Sequence, residues 1–221
     1  MNIWPKPFLE PEVLKQRLLI LSALDIVLCE EEWLRRYQFD PQWDENTTFA
    51  SVSNGSGDDL YILFTPEGVI VKGFDHESEM SPHAREEYEV WTGIYEQVPP
   101  ALLNRLNDEA LTKEEVTFCL WRESTDHVWK AGEVHNPHGL DDGSDFLLGM
   151  IYDSPENYVE WAEDYYEVKV PLDVIGYVFT NTSITKEMMM ELNPEVDLEM
   201  AMKELQAIGF TVAESTHDSQ K

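Results

Sequence analysis

Three β-prone runs separated by two strong turn signals constrain this chain more than any other feature. Residues 47–53, 60–65 and 69–74 are rich in β-branched and aromatic side chains. Asn54-Gly55-Ser56-Gly57 divides the first two, and Thr65-Pro66-Glu67-Gly68 the second and third, with Pro at the second turn position and Gly at the fourth. Short connections of this kind predict an antiparallel meander. The middle run, Leu60-Tyr61-Ile62-Leu63-Phe64, is apolar on both of its alternating faces, so the sheet must be covered on both sides. Residues 115–123, with 126–131 across a short turn, extend it to about five strands.

The rest of the chain reads as helix on either side of that sheet. Pro5, Pro7 and Pro11 keep the start extended and lead into a helix over residues 11–37, apolar on most faces. Ser22, Asp25, Cys29, Glu32 and Arg36 recur on it at three- and four-residue steps as a narrow polar stripe, which places Asp25 toward solvent. This helix is expected to cover one face of the sheet. Ser81-Pro82 and Pro99-Pro100 each open a short helix. After a loop over 132–144 the chain turns helical: Ser154-Pro155 starts one helix, and residues 185–192 and 198–208 form two more, with Gly209 as a stop. Residues 171–180 fit helix or strand. The expectation is an α+β fold in one domain over residues 1–210, strand-rich at 46–131 and helical at 145–209, with a disordered tail at 211–221.

Charge narrows the classes of partner. Asp and Glu number 44 against 15 Lys and Arg, a net charge of −29 spread along the whole chain. That field repels nucleic acid and anionic membranes and favours basic partners or cations; solubility alone is the plainer explanation. Cys29 and Cys119 both lie in apolar runs and read as buried thiols. No charged start precedes an apolar signal core, and the most apolar segment, residues 18–29, is shorter than a membrane span. A cytoplasmic protein is expected.

The densest chemistry follows the third strand. Between Asp75 and His83 stand two histidines, three carboxylates and two hydroxyls. His76, Glu77, Glu79 and His83 are acceptable metal ligands, and His135, His138 and Asp141 could complete a shell for Zn, Mn, Fe or Ni. Strand alternation would disperse them, however, and Asp75, Ser78 and Ser81 have ready uses in turns and caps. Arg122, beside Trp121, is expected to pair with Asp75 or Glu77 through a bidentate fork stacked on the indole.

Several short words carry a resemblance. Phe74-Asp75-His76-Glu77-Ser78 with Met80-Ser81-Pro82, Trp121-Arg122-Glu123 with Trp129, Trp161-Ala162-Glu163-Asp164-Tyr165-Tyr166 and Leu192-Asn193-Pro194 resemble motifs of a family of bacterial proteins without an assigned activity. The resemblance implies an intracellular bacterial protein and brings no catalytic residues with it.

Neither a nucleophile elbow, nor a phosphate loop, nor a dinucleotide fingerprint is present, and no cofactor is expected. One surface suits a partner. In the helix after Ser154, Tyr158, Trp161, Ala162 and Tyr165 share a face, while Glu156, Glu160, Glu163, Asp164 and Glu167 occupy the other. Such a face can steer a basic protein, although a merely solvated face has the same look. Two functional readings stand. The first is a non-enzymatic, immunity- or inhibitor-like module for a basic partner. The alternative is a metal-assisted hydrolase or related enzyme built around residues 75–83 and 135–141.

Overall fold

The computed structural model describes residues 3–136 and 138–214, and the chain divides into two compact units, each drawn from two stretches. One comprises residues 1–14 and 40–151, the other 15–39 and 152–221. The fold is α+β. A helix, α1 (Pro11–Leu28), runs from the first unit into the second, and strand β1 (Tyr37–Asp44) runs back.

The expected meander forms with its turns in place: β2 (Thr47–Ser53), β3 (Asp59–Thr65) and β4 (Gly68–Phe74) pair antiparallel. A short helix, α2 (Pro100–Leu103), precedes β5 (Phe118–Glu123) and β6 (Lys130–Ala131), completing a six-stranded sheet in the order β1-β2-β3-β4-β5-β6. Sequence reasoning missed β1, which tolerates Pro41 because it lies at the sheet edge. Phe49, Leu63, Ile70, Cys119 and Trp121 form one side of a hydrophobic core in this unit. Ile94, Val98, Leu102, Leu106, Leu111 and Val116, from the segment before β5, pack against them. On the same sheet Lys72 is fully buried: its ammonium donates to the carbonyls of Leu111 (2.9 Å) and Thr112 (3.1 Å) and lies 4.5 Å from the Tyr61 ring centroid. Burial lowers its pKa to about 8. A further helix, α3 (Ser144–Gly149), contacts β3.

The second unit is built from the later part of α1 with α4 (Pro155–Tyr166), α5 (Leu172–Asn181), α6 (Lys186–Leu192) and α7 (Leu198–Ala207). Ser154, expected to open a helix, caps α4 by accepting from the Asn157 amide; Thr185 and Asp197 cap α6 and α7, accepting from Met188 and from Glu199 and Met200. The ambiguous 171–180 segment is helical. A parallel pair, β7 (Ser183–Thr185) with β8 (Thr211–Ala213), was not anticipated. It places residues 211–213 in a strand instead of the expected tail, while residues 215–221 lie outside the described residues.

Two expectations about α1 fail together. The helix ends at Leu28, nine residues before Tyr37, because Glu30, Glu31 and Glu32 crowd negative charge where its dipole is already negative. The polar stripe at Ser22, Asp25 and Cys29 points inward: Asp25 is 0 % exposed and its neighbours are buried. Asp25 Oδ2 accepts from the backbone amides of Arg36 (2.8 Å) and Tyr37 (3.0 Å), so the carboxylate ties the chain reversal to the helix. Among the described residues, no helix is long and apolar enough to cross a membrane.

Candidate functional site

The stretch after β4 is a scaffolded turn. Asp75 Oδ1 accepts from the Glu77 amide at 2.9 Å, Ser78 Oγ accepts from the Met80 amide at 3.0 Å, and Ser81 caps the single 3-10 turn Pro82–Ala84. A later loop is fastened to it. Ser78 Oγ donates to the Asp141 carbonyl and Thr117 Oγ1 to the Asp142 carbonyl, each at 2.7 Å. Gly143, at φ +75°, lies so close to Asp75 that a methyl group there would meet the carboxylate.

Within this turn His76 pairs with Asp58, from the turn before β3. Nδ1 lies 2.7 Å from Asp58 Oδ1, which also accepts the His76 amide, and Asn54 holds the other oxygen. Asp58 is 4 % exposed. The pair raises the imidazole pKa. Burial pushes the Asp58 carboxyl up, but the hydrogen bonds from His76 and Asn54 outweigh it and leave its pKa lowered. Asp58, Asp75 and His76 place one ligand atom each within 4.8 Å of one another, the one such trio among the described residues. Asp58 escaped sequence reasoning because it sits eighteen positions from His76; only the turn signal at 54–57 could have pointed to it.

The remaining members of the expected polar site do not converge on it. Glu77 and Glu79 are exposed, and His83 faces Glu115 at 3.4 Å and the Tyr88 ring at 5.0 Å. His135 and His138 are exposed and belong to no metal-ligand group among the described residues. Arg122 corrects the expected pairing. It sits opposite Val69, at the start of β4, whereas Asp75 follows the end of that strand. Its guanidinium instead meets Glu10 at 2.8 Å and the Asp126 carbonyl at 3.1 Å. Trp121 projects to the opposite face of β5, as alternation requires.

The acidic helix, by contrast, borders a groove. In the second unit an open groove is lined by Tyr152 and Trp161 together with Glu160, Glu163, Asp164 and Glu167, and Lys169 contributes its one ammonium. Glu156, in the first turn of α4, is exposed and outside the lining. Tyr158 and Ala162 are buried as expected, but Trp161 is only partly so. Tyr152 stacks on Trp161 at 5.6 Å and 22°, and Tyr165 at 5.1 Å and 28°. Glu163 accepts from the Val170 amide and from Lys169, both at 3.2 Å, which fixes the end of the groove and lowers its pKa, the backbone bond contributing most.

Behind the groove lies the buried carboxyl. The Arg36 guanidinium sits 4.3 Å from the Trp161 ring centroid and 5.2 Å from that of Tyr165, and its Nη1 donates to Tyr152 Oη at 3.4 Å. The Arg36 Nε, the Trp161 Nε1 and the Tyr166 hydroxyl are buried without a hydrogen-bond partner among the described residues. Tyr158 Oη stands 3.5 Å from Asp25 Oδ1. Burial raises the Asp25 pKa to about 7, against the opposing pull of the Tyr37 and Arg36 amides and the Arg36 charge.

No family model, no curated protein and no solved structure matches this chain.

Proposed function

We propose that this protein is a non-enzymatic binding module, immunity- or inhibitor-like, whose docking surface for a basic protein is the groove beside α4. One observation carries the reading: aromatic faces and four carboxylates, against one ammonium, share a concave surface. Aromatic faces attract cations and the carboxylates pair with them, so a lysine or arginine side chain is matched by both. The net charge of −29 extends the same preference over long range and disfavours nucleic acid as partner. Buried, unpaired Cys29 and Cys119 suit a cytoplasmic setting.

Affinity capture on the immobilised protein at low ionic strength tests the reading. A basic partner should be retained, be released by moderate salt, and be lost from a Glu160→Gln/Asp164→Asn variant. Equal retention by that variant sinks the proposal.

A second reading, a metal-assisted hydrolase, draws on Asp58, Asp75 and His76. Imidazole with two carboxylates suits zinc or manganese, which would have to replace the existing Asp58–His76 hydrogen bond. Zinc titration followed by thermal unfolding decides it: a stabilisation abolished by His76→Ala favours the metal site, and no response disposes of it.

A further inference from the structure

Trp33 is the most exposed large apolar side chain among the described residues, with 79 % of its surface open to water. A buried aromatic side chain covers roughly 150–250 Å². Trp33 withholds most of that from the fold.

The turn that carries it is nevertheless firmly held. Glu32–Leu34 forms a single 3-10 turn, closed by hydrogen bonds from the Leu34 and Arg35 amides to the carbonyls of Glu31 (3.0 Å) and Glu32 (3.2 Å). The Arg35 side chain, only 6 % exposed, reaches back to the carbonyls of Cys29 (2.8 Å) and Glu30 (3.2 Å) and forms an ion pair with Glu204 on α7. Tyr165 Oη donates to the Leu34 carbonyl at 2.8 Å, fastening the turn to α4 one helical turn beyond Trp161. A tryptophan with no task could sit on a loose loop. This one is presented by a turn held from two helices, which removes much of the ordering cost of binding.

Its immediate neighbours fix the chemistry of what it meets. Glu30, Glu31 and Glu32 precede it and are exposed, so an apolar partner would have to strip water from three carboxylates. A guanidinium suits both elements, stacking flat on the indole while forking onto a carboxylate. Tryptophan and arginine are also the residues most enriched at interface anchor points. From the exposed indole, the braced turn and the acidic flank we infer that Trp33 is a second anchor for the basic partner, stacking on its arginine side chains. The inference rests on the binding reading above and adds to it a contact outside the groove and a preference for arginine over lysine.

Deca-arginine and deca-lysine peptides, titrated calorimetrically into the intact protein, test it. The native protein should bind deca-arginine more tightly. Trp33→Ala should weaken deca-arginine binding roughly tenfold and erase the preference, while Trp33→Phe retains part of it. The Glu160→Gln/Asp164→Asn variant should weaken both peptides, and Glu86→Gln/Glu87→Gln, on the other unit, should leave both nearly unchanged. If Trp33→Ala binds like the native protein while the groove variant is weakened, the Trp33 inference falls and the groove stands. If the groove variant loses no more than the Glu86/Glu87 control, the groove reading falls, and a loss confined to Trp33→Ala then upholds the indole alone. No measurable binding of either peptide overturns both. The indole is solvent-exposed, so unchanged circular dichroism is expected of both Trp33 variants.

Discussion

Replacing Asp25 with Asn should remove a specific part of the pH dependence of stability. The carboxyl is fully buried, and its pKa rises from 3.8 to about 7. In the unfolded chain it ionises near the ordinary value of about 3.9. At about 1.4 kcal/mol per pKa unit, that rise is worth about 4 kcal/mol. The folded pKa lies above the unfolded one, so the protonated form favours folding. This contribution is complete below the unfolded value and is lost as pH rises through about 7. Between about pH 4 and pH 7 the group therefore lowers stability by about 1.4 kcal/mol per pH unit, and above that window its effect is constant. Asn keeps an oxygen for the Arg36 and Tyr37 amides and cannot ionise. Urea unfolding of both proteins, followed by circular dichroism at several pH values, isolates the effect as their difference. The variant should gain on the native protein by about 4 kcal/mol between pH 4 and pH 8. A difference that stays flat over that range would refute the reading of Asp25 as a buried acid that ionises near neutrality.

Three further outcomes follow from the same geometry. Lys72 has a folded pKa of about 8, below its unfolded value, so native stability should rise between about pH 8 and pH 10; Lys72→Met should abolish that rise in the same unfolding assay, and its persistence would contradict the burial argument. Asp58→Asn should lower the His76 pKa toward that of free imidazole, measured by NMR titration of the ring; an unmoved midpoint would mean the pair does not control it. Gly143→Ala should cost about 2 kcal/mol or more of stability, because a left-handed backbone and a clash with Asp75 act together; a neutral result would show that the loop can move aside.

The meander was legible because its turns are local: Asn54 to Gly57 and Pro66 to Gly68 specify the reversals without help from distant residues. The helix start at Ser154-Pro155 was legible for the same reason. What escaped depends on partners far along the chain. The polar stripe of α1 had the right period, but only Tyr158 and the Arg36 and Tyr37 amides, far from it in sequence or beyond the helix, turn it inward. The same holds at the candidate sites. The carboxylates of α4 were visible as a charged face, whereas Tyr152, which makes that face part of a groove, precedes the helix and carries no local signal. Arg122 lies opposite Val69 at the start of β4, a register its own neighbours do not specify, and alternation sends it and Trp121 to opposite faces.

The division of the chain has a consequence for how it is made. The second unit takes residues 15–39 from before the first unit's main stretch and residues 152–221 from after it. A ribosome therefore delivers the apolar later part of α1, together with Asp25, long before α4 exists to enclose them. Until residues beyond 151 have been synthesised, that segment lacks the helices against which it finally packs. The first unit can close its sheet earlier, since β2 to β6 lie in one uninterrupted stretch. A fragment ending at residue 151 should therefore resist protease within the sheet while remaining cleavable along residues 15–39.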